Sequence, residues 1–357
     1  MTILNTKPKS LVVAMVLAGT FSAFASTAYA VPVNFNGSFV AGCGDPIAAD
    51  ATTTPPTPAT YTCNSSPSTK ADNVTISDGY RVNLILNGVN NLLGAAVILG
   101  VGSRLEGNID ADATVALGVR ATMDGNISAG TTAALGAKAQ LDGNLLAQTT
   151  AALGAEAVVN GYLAAGTTVA LGAKATVNKV EGSALAAAAV EVGLVTVTVY
   201  SGDLYAGTTV ALGADASVDL DLNAGTTVAL GAGATVHGDL NADTTLAMGV
   251  GASVMGDAKV LGAATMSAGA YACKNFTANV MTMGAGSFVK ENLEVTTAAT
   301  IGATGFVKGE LKAVTATLGA GACYGLKHTD VLTLTLGAGA GACDIFTNVN
   351  TDTDERC

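Results

Sequence analysis

The sequence predicts an all-β fold, a single parallel β-solenoid, on three observations: an eighteen-residue period, apolar alternation inside each period, and a composition poor in large side chains. The period appears when the chain is cut at its glycines. Successive units read GNIDADATVALGVRATMD, GNISAGTTAALGAKAQLD, GNLLAQTTAALGAEAVVN and GYLAAGTTVALGAKATVN, and later GDLYAGTTVALGADASVD, LDLNAGTTVALGAGATVH and GDLNADTTLAMGVGASVM. Within a unit the apolar positions alternate, as at Leu222, Ala224, Val228, Leu230, Ala234 and Val236, which is the mark of short strands with one face inward. Gly and Asn between them supply corners, so three strands per coil are expected. Ala and Leu also favour helix, but Gly and Thr-Thr recurring in each unit oppose one. Half of the residues are hydrophobic, yet Trp is absent, aromatics are 4% and Gly numbers 44. Such a chain fills a narrow, repetitive interior with small side chains.

The elements follow in order. Residues 1–30 carry Lys7 and Lys9, an apolar stretch over 11–24 and then Ala28-Tyr29-Ala30, the layout of a secretory signal peptide with its cleavage site before Val31. Since that segment has two Lys and no acidic residue, its removal takes the formal net charge from −11 to −13. No later stretch is apolar over the roughly 18 residues that a membrane helix needs, so an exported, extracellular or cell-surface protein without a membrane span is expected. Residues 31–75, rich in Pro, Thr, Ser and Asn, read as an N-terminal cap or tether. Residues 76–347 read as solenoid, and 348–357 as a polar C-terminal tail that blunts the other end.

The Thr-x-Ala-Leu-Gly element traces the stack. Its first position is Ala96, Thr114, Thr132, Thr150, Thr168, Ala189, Thr209, Thr227, Thr245, Ala263, Val280, Ala298, Thr315 and Thr333. The steps are 17 or 18 residues except beside Ala189, where steps of 21 and 20 imply a longer coil reaching Val199. About fourteen coils at about 4.8 Å each make a rod about 65 Å long.

Six cysteines in an exported chain imply disulfides. Cys43 and Cys63 flank the Pro/Thr-rich run and most simply close it, giving a disulfide-containing cap. Cys273, Cys323, Cys343 and Cys357 allow three pairings, among which the sequence does not choose. With only His237 and His328 and no close cysteine pairs, a metal site is not expected, nor any cofactor. His237 shares a column with Asp124, Asp142, Asn160, Asn178, Asp219 and Met255, and reads as a solvated polar residue rather than a catalytic one. Asp110 and Asp112 have no cleft around them, so no enzyme is expected. Net acidity and the lack of a basic, aromatic-studded patch argue against a nucleic-acid partner.

One outer face stands out. Residues two apart on a strand share a face, so the landmark's third position lies beside its first: Ile98, Ala116, Ala134, Ala152, Ala170, Glu191, Ala211, Ala229, Ala247, Thr265, Thr282, Thr300, Thr317 and Thr335. Of these 28 positions 14 are Thr, 11 are Ala and Glu191 alone is charged. Charges are expected on the other faces, with Arg120, Lys138, Glu156, Lys174 and Asp215 in one column and Asp203, Asp221 and Asp239 in another. β-propensity explains Thr but not Ala, and does not explain one face without charge. The candidate surface is therefore Thr114, Thr132, Thr150, Thr168, Thr209, Thr227, Thr245, Thr265, Thr282, Thr300, Thr315, Thr317, Thr333 and Thr335. Small uncharged side chains allow close approach of a copy of the chain or another extended, solid-like surface. Alternatively Thr hydroxyls and methyls, on a grid of about 4.8 by about 6.7 Å, order water as ice does.

The run GNLLAQTTAALGAEAVVNGYLAAGTTVALGAKATVN resembles the C-terminal coils of the bacterial and fungal ice-binding-like β-solenoid domains. The resemblance implies an exported solenoid used as an ice binder or an adhesin module. This chain departs from that pattern by iterating the coil along nearly its whole mature length. By coil length and Gly/Val/Ala pattern it also resembles the bactofilins, polymerising β-solenoids of the cytoplasm, whereas this chain carries an export signal. The reading that follows is an exported structural or adhesive surface protein that associates through the Thr/Ala face, with ice binding through the same face as the alternative.

Overall fold

A computed structural model describes residues 32–43, 45–48, 59–63, 67–70, 72–84, 91–178, 188–192, 195–199, 202–325, 328–329, 331–343 and Cys357. The expected signal peptide lies outside these residues. Among them every regular element is a strand, and the strands stack in parallel into a solenoid of about fourteen turns.

One turn shows why the sequence winds this way. Ile127–Ala129 forms the strand of the first face, Thr132–Leu135 that of the second and Gln140–Asp142 that of the third. Each strand alternates, with Ile127, Ala129, Ala133, Leu135 and Leu141 buried. The next turn repeats the arrangement eighteen residues on, Ile127 pairing with Leu145, Thr132 with Thr150 and Leu141 with Val159. With strands of two to four residues on three sides, the interior has room for Ala, Val, Leu and Met columns and little more. The third face alone is a fifteen-stranded sheet. First- and second-face strands fuse into one at Asn91–Leu99, Asn108–Leu117, Phe276–Met283 and Leu293–Ile301. Register shifts mark the join, at Gly94/Ala96 and at Ala278/Val280.

The three corners are built differently. Between the first and second faces stand Gly130 and Thr131, and turns close here until a Cβ on Gly130 would lie 2.0 Å from the Asp112 carbonyl oxygen. Between the second and third faces one residue per turn takes a left-handed conformation, among them Lys138, Glu156 and Gly233. Between the third and first faces an Asn or Asp side chain caps the next turn. Asn126 Oδ1 accepts the Asn144 backbone N–H at 2.9 Å, and Asp221 and Asp239 do the same for Asp239 and Asp257 at 2.8 Å.

Two expectations shift. The long coil through Ala189 is not a turn of the stack. Thr168 pairs directly with Thr209, Leu163 with Leu204 and Thr176 with Ser217, so residues 179–201 are an insertion leaving the third-to-first corner. Within it Ala188–Val192 and Val195–Val199 form an antiparallel hairpin. Alternating Ala and Val suit a hairpin as well as a rung, which is why spacing alone mistook one for the other. The ladder also begins inside the segment read as a cap: Val33–Phe35 pairs with Asn73–Ile76, which pairs with residues 96–99. The spacings of these first rungs, 41 residues from Val33 to Val74 and 23 from Val74 to Val97, hide them from an eighteen-residue period search.

The expected Cys43–Cys63 disulfide is present. The other four pair as Cys323–Cys343 and Cys273–Cys357. The first stitches adjacent turns. The second returns Cys357, last residue of the segment expected to blunt the far end, to a third-face position beside Met255.

Candidate functional site: the threonine wall

The second face carries the candidate residues in two unbroken columns. Thr114, Thr132, Thr150, Thr168, Thr209, Thr227 and Thr245 stack one above the next, followed by Ala263, Val280, Ala298, Thr315 and Thr333. The neighbouring column runs from Ile98 through Ala116, Ala134, Ala152, Ala170, Ala211, Ala229 and Ala247 to Thr265, Thr282, Thr300, Thr317 and Thr335. None of the fourteen threonines is buried. Those from Thr132 to Thr227 are half-buried by their neighbours above and below, and Thr114, Thr245 and all later ones are exposed.

Ala189 and Glu191 drop out of these columns because they belong to the hairpin. The consequence favours the surface: with Glu191 gone, neither column holds a charged residue from Ala96 to Thr335. Charge is instead collected elsewhere. Arg120, Lys138, Glu156, Lys174 and Asp215, expected on a face, sit at the second corner with φ between 55° and 59°. Lys138 and Glu156 are 3.4 Å apart there, both half exposed, which contributes little to stability. Asp203, Asp221 and Asp239, also expected on a face, sit in the corner ladder with an oxygen committed to the next turn's backbone.

The Thr-Thr dipeptide divides its labour. The first Thr of each pair is a structural residue that spacing did not distinguish from its neighbour. The Thr149 hydroxyl donates to the Thr131 carbonyl at 2.7 Å, Thr167 to Thr149 at 2.7 Å, Thr208 to Thr167 at 2.7 Å and Thr226 to Thr208 at 2.8 Å. The second Thr faces solvent, and Thr227 and Thr245 bring their hydroxyls to 2.9 Å of one another. The signal that separates the two is in the sequence, since the structural Thr follows Gly, Gln or Asp at the corner while the outward one precedes an inward Val, Ala or Leu.

Other features offer less chemistry. Two shallow grooves follow the asparagine corner, one of about 350 Å³ lined by Asn108, Asn126, Asn144, Leu146 and Tyr162, the other of about 340 Å³ lined by Asn275, Asn292, Glu294 and Lys312. Burial pushes the Tyr162 phenol above its usual range. Among the described residues no three His, Cys, Asp or Glu side chains gather as metal ligands would. His237 Nδ1 lies 3.2 Å from the Val218 carbonyl and 3.8 Å from Asp219, in the third-face column where the spacing put it.

No family model, curated protein or solved structure matches the chain.

Proposed function

We propose that the protein is an exported, non-enzymatic structural or adhesive rod that associates with an extended surface through its threonine wall. One observation carries the reading. Over the rungs from Ala96 to Thr335 the wall keeps only Thr, Ala, one Val and one Ile, while each corner and both other faces admit charge. A partner that covers many rungs at once desolvates every outward side chain, and one unpaired charge there would cost more than several Thr or Ala contacts return. Three disulfides suit an oxidising compartment, in keeping with export.

Ice is the second reading, favoured by the hydroxyl pattern. Two threonines per rung, Thr315/Thr317 and Thr333/Thr335, stand in register, at strand spacings of about 4.8 and about 6.7 Å. The two readings part on one set of samples. Adsorption, filaments or sheets formed at constant temperature and prevented by Thr227→Lys and Thr317→Lys support the adhesive rod. Thermal hysteresis and shaped ice crystals from the dispersed protein, abolished by the same substitutions, support ice. Wild-type behaviour of both variants in every assay overturns the wall as a binding surface.

A further inference from the structure

The corner between the second and third faces borders the wall and carries charges that the wall lacks. Along the stack its left-handed position is filled by Arg120, Lys138, Glu156, Lys174 and Asp215 in turn. The signs run plus, plus, minus, plus, minus, and from Gly233 to Gly339 the column holds glycine and one threonine, Thr304. Their contact within the rod, Lys138 to Glu156 at 3.4 Å, is half exposed on both sides and contributes little. The residue before each left-handed one forms a second column on the same ridge. It is Val101, Val119 and Val250 in three turns, at 48%, 42% and 61% exposed, and Ala in the turns between Val119 and Val250.

We infer that two copies pair wall to wall and antiparallel through the N-terminal half of the wall, in a register set by this ridge. The inference rests on the reading of the wall as an association surface and names its partner there. The operator is a two-fold axis lying in the plane of the wall and across the rod. It turns one copy over onto the other and brings this corner of each against the same corner of its mate. With the axis midway between the turns of Thr150 and Thr168, Glu156 faces Lys174 of the second copy and Lys138 faces Asp215 of the second copy. Symmetry repeats both contacts, so the ridge forms opposite pairs throughout and no like pair. Moving the axis by half a turn sets Glu156 or Lys174 against itself. Moving it by a whole turn either sets Arg120 against Lys174 or keeps only the pairs of Lys174 with Asp215. Complementary charge selects a register in this way more than it adds affinity.

The valines select the same register independently. Val101 falls opposite Val250 of the second copy, so two side chains exposed in the single rod make an apolar contact at each end of the paired region. Between the corners the walls meet through Thr and Ala, which allow close approach and bury no charge. Ice or another uncharged solid offers the ridge no counterpart, and a parallel copy sets the first corner, largely glycine and threonine, against it. The eight turns from Ala96 to Thr245, at about 4.8 Å by about 15 Å each, cover about 600 Å² per copy, which suits a reversible dimer. The turns from Ala298 to Thr335 overhang at both ends. The part of the wall with two threonines per rung thus stays open to an external surface.

Sedimentation equilibrium of the full chain across a wide concentration range tests the pairing, with negative-stain images for its shape. The expected result is a monomer–dimer equilibrium that stops at two, weakens with salt and shows rods side by side. Lys174→Glu sets carboxylates against each other at both symmetric sites and weakens the dimer by about tenfold or more, with unchanged melting of the monomer. Adding Glu156→Lys to it exchanges the signs and restores association to within about threefold of the wild type. Thr227→Lys, inside the paired region, also breaks the dimer, whereas Thr317→Lys, in the overhang, leaves it intact. A chain monomeric at every concentration that still adsorbs or shapes ice through Thr317 would overturn the dimer and leave the wall reading standing. End-to-end rods, a double reversal that fails to rescue, or a dimer indifferent to Thr227→Lys would each overturn the proposal too.

Discussion

The turns from Gly107 to Met248 and those from Ala258 to Ala342 share one backbone register and solve its demands with different residues. In the first region the outer threonines occupy the first column of the wall and alanines the second. In the second region the second column is all threonine, from Thr265 to Thr335, beside Ala263, Val280 and Ala298 in the first column and then Thr315 and Thr333. The hydroxyl ladder of Thr131 to Thr244 has an isolated counterpart later at Thr297. The left-handed corner is mostly charged in the first region, at Arg120, Lys138, Glu156, Lys174 and Asp215 with Gly233 after them, and mostly glycine afterwards, at Gly251, Gly269, Gly286, Gly321 and Gly339. The later interior takes Met266, Met281, Met283 and Phe276, and the third face acquires two disulfides and the stacked pair Phe288–Phe306. The comparison teaches which features winding requires. Inward alternation and close-approach glycines persist throughout, whereas ladder threonines and corner charges come and go. The uncharged wall also persists although its threonines change column, so it is not a by-product of either corner chemistry.

Four measurements sharpen or break this comparison. The largest effect is expected from the stitching bond peculiar to the second region. Replacing Cys323 and Cys343 by Ala frees a short loop and should cost about 3 kcal/mol. Hydrogen exchange should show the loss in the last turns while amides between Gly107 and Met248 stay protected, and uniform loosening would mean that the regions are one cooperative unit. Next come two glycines of unlike duty. Gly130→Ala forces a Cβ against the Asp112 carbonyl and should cost about 2–3 kcal/mol. Gly251→Ala meets open space and pays only for its φ of 67°, about 1 kcal/mol. Equal shifts in denaturant midpoint would refute the division between close-approach and conformational glycines.

A smaller effect separates the neighbours of one Thr-Thr pair. Thr167→Val removes a hydroxyl bonded at 2.7 Å and should destabilise by about 1 kcal/mol. Thr168→Val should stay within about 0.5 kcal/mol and alter only what the wall does. The smallest change is a gain: Lys174→Gly should stabilise by about 0.5–1 kcal/mol by relieving a left-handed lysine, whereas Gly286→Lys should cost a similar amount. If neither moves the melting temperature, the corner charges are not held against strain.

Much of this molecule is legible before any coordinates. The turn length, three strands per turn, the inward set and the columns of the wall all follow from alternation repeated every eighteen residues, because a stacked coil turns sequence period directly into spatial register. The Cys43–Cys63 bond is legible for a similarly local reason. Other features depend on which turn meets which. Ala189 and Glu191 share the alternation of a rung, and only the pairing of Thr168 with Thr209 expels them. Thr131 and Thr132 differ in the sequence only by their flanks, Gly130 before one and Ala133 after the other, and the corner is what turns that into a ladder residue and a surface residue. Val33–Phe35 joins the stack through a partner 41 residues away, a spacing that no eighteen-residue period contains. Cys273 finds Cys357 across 84 residues, a pairing that spacing leaves among three. The periodic part was settled by the sequence because each repeat needs only its neighbours to bury its inner face. The corners, the insertion and the disulfides among the last four cysteines were decided by tertiary structure, since each depends on contacts between segments whose separation no period encodes.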